Sequence, residues 1–228
     1  MANFRFTSAA KTNIARALLG ATILGTAFGA HITSATAAEK QPIDTVANTA
    51  TVADHAERSR EAKVSVTAAQ VLALAKSQIG VSENAAGGGT KFQQWYANSQ
   101  RAAETIARDG GSRADYLNAA WCSMFVSWVG EQTGARPQIG WDAWTVAHAK
   151  WFKANNRFGT EAKPGAVVFF SWSGSKNLQD INHVGFVEKD NGDGTITTVE
   201  GNTGKGSVEE RVRPKSQVVG YGYPQYRS

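Results

Sequence analysis

The spacing of apolar residues along the chain changes once, near Pro164. Before it, from about residue 67, apolar side chains recur three and four positions apart, the period of helices with one buried face. Thr67 is placed to cap a helix running to Ile79, with Val71, Leu72, Ala75 and Ile79 on one face and Gly80 as its stop. A glycine-rich loop at Gly87 to Gly89 precedes a short helix through Trp95 and Tyr96 and polar helical pieces up to Asn118. A second clear helix starts at Trp121-Cys122 and ends at Gly130 or Gly134, with Cys122, Phe125, Val126 and Val129 sharing a face. A third spans Asp142 to Asn155.

Past Pro164 the pattern is that of strands. Gly165 to Trp172, Asn182 to Glu188, Thr195 to Glu200 and Val208 to Val212 are rich in β-branched and aromatic residues and bounded by turn formers, and Val218 to Tyr223 adds a last strand. Lys189 to Gly194 joins the middle pair with residues that tolerate positive φ, which predicts a hairpin. Helices first and strands second predict an α+β fold, an antiparallel sheet covered by the N-terminal helices.

All seven Trp and all five Tyr lie beyond residue 66, so one domain is expected over residues 67 to 228. Residues 39 to 66 lack aromatics, are rich in Ala, Thr and charge, and read as a flexible linker in which His55 is a solvated residue. Residues 1 to 38 have the three parts of a secretory signal: a basic stretch ending at Arg16, an apolar run from Ala17 to Ala30 too short to span a bilayer, and small residues at Ala35-Thr36-Ala37. The expected location is therefore secreted or extracellular, with no membrane contact once the signal is removed. Three of the 24 Lys and Arg and none of the 19 Asp and Glu lie in that signal, which reduces the formal +5 to +2. Without a basic stripe elsewhere, a nucleic-acid partner is not expected.

Export makes the lone cysteine informative, because exported domains usually carry cysteines in pairs. Cys122 stands at a helix start, where free N–H groups and the dipole favour thiolate. His183 opens a strand and titrates near neutrality, so it can take the thiol proton. Glu200 closes the neighbouring strand and Asn202 follows two residues on, so either can orient the imidazole. On chemistry and spacing alone, this set and an inert one, with Cys122 a small buried apolar residue, are balanced.

Four ordered segments resemble the CHAP family, the cysteine- and histidine-dependent amidohydrolases and peptidases that cut peptidoglycan: Trp121-Cys122-Ser123-Met124-Phe125-Val126-Ser127-Trp128, Pro164 to Phe170, His183-Val184-Gly185-Phe186-Val187 and Val199-Glu200-Gly201-Asn202-Thr203. The closing Val219 to Tyr226 is also similar to the end of such domains, and the resemblance covers roughly residues 70 to 226. It implies a papain-like fold with Cys122 as nucleophile, His183 as base and later acid, and Glu200 and Asn202 as the orienting and polarising pair. It also implies a secreted bacterial cell-wall hydrolase acting on an amide, either N-acetylmuramoyl-L-alanine or a stem or cross-bridge peptide bond. The alternative is a wall-binding module that keeps the fold without the chemistry.

Trp121, Trp141 and Trp172 are the aromatics expected to contact substrate, ahead of Trp144, and His148 is expected to be a surface or packing residue. No cofactor is expected. The mature chain's one Cys and three His lack zinc spacing, and Glu83, Glu104, Asp109 and Asp115 show no calcium pattern. A monomer acting on peptidoglycan is the resulting expectation.

Overall fold

The computed structural model describes residues 64 to 228, so the signal, the linker up to residue 63 and His55 lie outside the described residues. Six helices come first: α1 (Ala68–Lys76), α2 (Lys91–Asn98), α3 (Gln100–Asp109), α4 (Cys122–Thr133), α5 (Arg136–Ile139) and α6 (Thr145–Ala154). Six strands follow: β1 (Phe158–Gly159), β2 (Val167–Phe170), β3 (His183–Asp190), β4 (Thr195–Thr203), β5 (Ser207–Pro214) and β6 (Val218–Gly222). They form one antiparallel sheet in the order β1-β6-β2-β3-β4-β5. The α+β reading therefore holds, and β1, only two residues long, is the strand the pattern did not predict.

Period-two burial splits the sheet into two apolar faces. Val167, Phe169, Val184, Phe186, Val199 and Val208 join Phe125, Val126 and Val129 of α4 in the main core. Ala166, Val168, Phe170, Val187, Ile196 and Tyr221 make a smaller cluster. α4 packs against β3 and β4 and is buried along most of its length, which fixes its first residue beside the sheet.

Two element ends differ from expectation for local reasons, and a third is decided between its two alternatives. α1 starts at Thr67 with a capping box to Gln70 but stops at Lys76, and Ile79 falls outside the helix and is exposed. α4 runs on to Thr133 because Gly134, at φ 74°, supplies its left-handed cap. α6 starts at Thr145 because Asp142 is used otherwise: its carboxylate is buried, accepts from the Trp144 N–H at 2.9 Å and binds Arg101 and Arg108 of α3. Those two arginines tie the polar helices ahead of Cys122 to the rest of the domain. Val64 and Val66, at the end of the stretch read as a linker, are buried, and the Val66 carbonyl accepts from the Arg227 N–H.

Candidate active site

Cys122 is the first residue of α4, and the Trp121 cap position contributes no side-chain hydrogen bond to the open N–H groups of the first turn. The helix start therefore keeps its donors and its positive dipole end beside the sulfur. Ser123 and Ser127 pin this end: their hydroxyls donate to the Asp142 carbonyl at 2.7 and 3.2 Å.

His183, first residue of β3, is hydrogen-bonded to Glu200 and has Cys122 as its other interacting neighbour. Its Nε2 meets Glu200 Oε2 at 2.8 Å, which leaves Nδ1 as the ring nitrogen for the thiol. Both side chains are buried, His183 at 5% exposure and Cys122 at 4%. Burial lowers the His183 pKa, but the hydrogen bonds and charges of Cys122 and Glu200 outweigh it and raise the value to about 9. Burial likewise raises the Glu200 pKa, but hydrogen bonds from His183, Arg213 and Thr198 outweigh it and bring the carboxyl down to about 2. The arrangement is a thiol, an imidazole and a carboxylate joined in one chain, able to move a proton off sulfur and stabilise the resulting imidazolium.

Register explains how Glu200 reaches His183. The pair Phe186↔Val199 sets Gly185 against Glu200, and a Cβ on Gly185 would lie 2.7 Å from Glu200 Cγ. The missing side chain leaves the carboxylate room to lie across β3 toward the residue two positions earlier. Asn202 is placed differently. It holds a left-handed backbone at φ 54°, and among the described residues its side chain has no hydrogen-bond partner, so Glu200 is the group on the imidazole.

The aromatics separate. Trp121 is fully buried, stacks on Phe92 at 5.3 Å and donates from Nε1 to Glu83 at 3.2 Å, so the expectation that it contacts substrate is corrected: it is core. The cause is its position just before α4, under Gly201, where any Cβ would meet its ring. Trp141 is half-buried with the Arg136 guanidinium 4.2 Å over its ring. Trp172 is 42% exposed and lies 5.1 Å from the His183 ring, beside the reacting groups. Trp144, ranked below these from sequence, is also exposed. His148 is fully buried, with Nδ1 2.9 Å from Ser123 Oγ and Nε2 donating to the Ile139 carbonyl at 2.6 Å.

Sequence reasoning missed Arg213 and Gly185. Arg213 lies one residue past the predicted end of its strand, and β5 continues through it to Pro214. A basic residue opposite a strand ending in a buried glutamate was the available signal. Of the four acidic residues considered for calcium, Glu83 takes Trp121 Nε1, Glu104 pairs with Arg101, Asp109 with Arg108, and Asp115 accepts from the Ser112 N–H. Among the described residues no group of three or more His, Cys, Asp or Glu is arranged to hold a metal ion, and no helix is long and apolar enough to cross a membrane.

No curated protein and no solved structure gives a significant match to the chain. Residues 114–202, which contain Cys122, His183 and Glu200, match the family model of the CHAP domain, a papain-like α+β domain that is generally of amidohydrolase and peptidase type.

Proposed function

We propose that the protein is a secreted bacterial cell-wall hydrolase that cleaves an amide in peptidoglycan through a thioester on Cys122. The observation that carries this reading is the chain Cys122, His183, Glu200 at the start of α4. His183 takes the thiol proton and the thiolate attacks the amide carbonyl. The tetrahedral oxyanion is met by the open N–H groups of the first turn of α4, the Cys122 N–H among them. Collapse expels the amine, protonated by the imidazolium, and leaves the thioester. Water then gives its proton to His183, attacks the thioester and releases the carboxylic acid, with the thiol restored. Glu200 keeps the ring oriented and stabilises its cation throughout. The bond cut is either the muramoyl to L-alanine amide or a peptide bond of the stem or cross-bridge, reached by a monomer after export, with Trp172 beside the scissile bond.

The test is mass spectrometry of purified peptidoglycan incubated with the full chain, wild type beside Cys122→Ala. New muropeptides made by wild type alone are the expected result, and their masses identify the bond. If neither protein cuts while both sediment with the wall, the domain is a binding module and the enzymatic reading is wrong.

A further inference from the structure

Arg213 contacts Glu200, Thr203 and Trp172 on the polar side behind His183. Its Nε donates to Glu200 Oε1 at 3.0 Å and its Nη2 to Oε2 at 2.6 Å, a side-on grip on both oxygens. Nη2 also donates to Thr203 Oγ1 at 2.9 Å, which ties β5 to the end of β4. The guanidinium lies 4.8 Å over the Trp172 ring, so an aromatic covers it on the side of the exposed rim. Glu200 Oε1 receives one more hydrogen bond, from Thr198 Oγ1 at 2.6 Å. The charged and titratable groups that reach the carboxylate are therefore His183 from β3 and Arg213 from β5, with Cys122 of α4 behind His183.

A carboxylate with no exposure is costly unless it is paired, and a paired one can still rotate away from its imidazole. The planar fork of an arginine removes that freedom, because two parallel N–H bonds fix the plane of the carboxylate. We propose that Arg213 is a positioning residue for the reaction, holding Glu200 as an anion and aiming Oε2 at His183 Nε2. The inference rests on reading Cys122, His183 and Glu200 as the reacting set. It assigns to β5 a function in the chemistry although no group of β5 touches the thiol.

The experiment is the pH dependence of Cys122 alkylation by iodoacetamide, followed by intact mass, on the full chain as wild type, Arg213→Gln and Arg213→Lys. This readout needs no wall substrate, so it separates failure of the inference from failure of the proposed function. Removing Arg213 raises the pH at which Glu200 gains a proton, so the acid limb of the Arg213→Gln profile moves toward neutral pH and the plateau rate falls roughly ten- to hundredfold, the scale of one charge-assisted hydrogen bond. Arg213→Lys keeps the charge without the fork: the acid limb returns toward wild type while the plateau stays low. Because the effect passes through Glu200, Arg213→Gln in a Glu200→Gln background changes neither limb nor plateau further. A profile of unchanged shape, scaled only by the folded fraction seen in thermal melts, would overturn the proposal, as would full additivity in the double variant. Should Arg213→Gln fail to fold, the Arg213→Lys profile and its Glu200→Gln combination decide alone: a wild-type plateau in Arg213→Lys sinks the positioning role.

Discussion

Two histidines are buried in this domain, and they behave in opposite ways. His183 sits against Cys122 and Glu200, and its pKa is raised to about 9. His148 sits against Ser123 and the Ile139 carbonyl, and burial, opposed only by that carbonyl and the charge of Asp142, lowers its pKa. Each touches one of the first two residues of α4, so they flank the same helix end. Burial is common to both and cannot be what separates them. The difference is the partner: a carboxylate that receives only the imidazole, Thr198 and Arg213 on one side, and neutral dipoles on the other. Burial makes a histidine's partners decisive, because little water remains to dilute them.

The largest effect is expected from exchanging the roles. His183→Ala removes the proton acceptor and should lower amide cleavage on the order of 10²- to 10⁴-fold, with little change in denaturant midpoint above about pH 9, where its charge no longer adds stability. His148→Ala should do the reverse. It leaves Ser123 Oγ without its ring partner, strands the Ile139 carbonyl and opens a cavity beside Phe152 and Phe169. The expected cost is about 2–4 kcal/mol of stability with turnover per folded molecule kept. Denaturant melts set beside rates per alkylatable thiol distinguish the two, and equal losses of stability in both variants would erase the contrast.

The same comparison has a pH signature. A group whose folded pKa is raised stabilises the fold below its unfolded value and loses that contribution as pH rises through the folded one. His183 therefore supports stability up to pH 6.5 and withdraws it between 6.5 and about 9. His148 is depressed, so the unfolded chain binds the extra proton and stability falls as pH drops below 6.5. Glu200 adds a second acidic loss, spread from 4.5 down to about 2. Imidazole NMR should show one ring still protonated above pH 8 and another that takes up its proton only below the ordinary 6.5, each identified by its own alanine variant. Two rings titrating together near 6.5 would show that their partners do not act as described.

Gly185 tests the geometry that gives His183 its carboxylate. Gly185→Ala puts a methyl 2.7 Å from Glu200 Cγ and 2.9 Å from the Val199 carbonyl. Backbone cannot yield there as easily as the glutamate chain, so Glu200 should be displaced, with about 1–3 kcal/mol of destabilisation and a fall in the alkaline imidazolium pKa. The alkylation profile measures the second part, and an unmoved alkaline limb would mean Glu200 keeps its place without the glycine.

How much of this was legible in the sequence follows from the range of each interaction. Helix α4, the strand run after Pro164 and the hairpin before Thr195 were readable because periodicity and turn chemistry are local. Cys122 and His183 were readable because a lone thiol at a helix start and a strand-initial imidazole are chemically conspicuous. The choice of Glu200 over Asn202 was not, since it depends on the register of β3 against β4 and on the gap at Gly185. Arg213 was hidden for the same reason, its partner lying thirteen residues back on another strand. Trp121 was misjudged because adjacency to a thiol says nothing about facing, and the chain turns its ring inward beneath Gly201. Asp142 looked like the start of a helix and is instead the buried anchor of two arginines from α3.

The smallest expected effect concerns the rim. Trp172 contacts His183, Phe170 and Arg213 through its ring and still leaves 42% of its surface to solvent. The exposed part can stack on a bound substrate while the covered part shields the guanidinium over Glu200. Trp172→Ala should therefore raise KM roughly two- to tenfold, the worth of one aromatic contact, with the loss of cover appearing as a smaller drop in kcat. Trp172→Phe should restore kcat more fully than KM, because a smaller ring still covers Arg213 but offers less surface outward. Trp144 is similarly exposed but contacts neither His183 nor Arg213, so Trp144→Ala should leave kcat unchanged. Steady-state kinetics on soluble muropeptides provide both constants. If Trp172→Ala changed kcat alone, the exposed face would not meet substrate, and the residue would belong with His148 among the groups that act by packing.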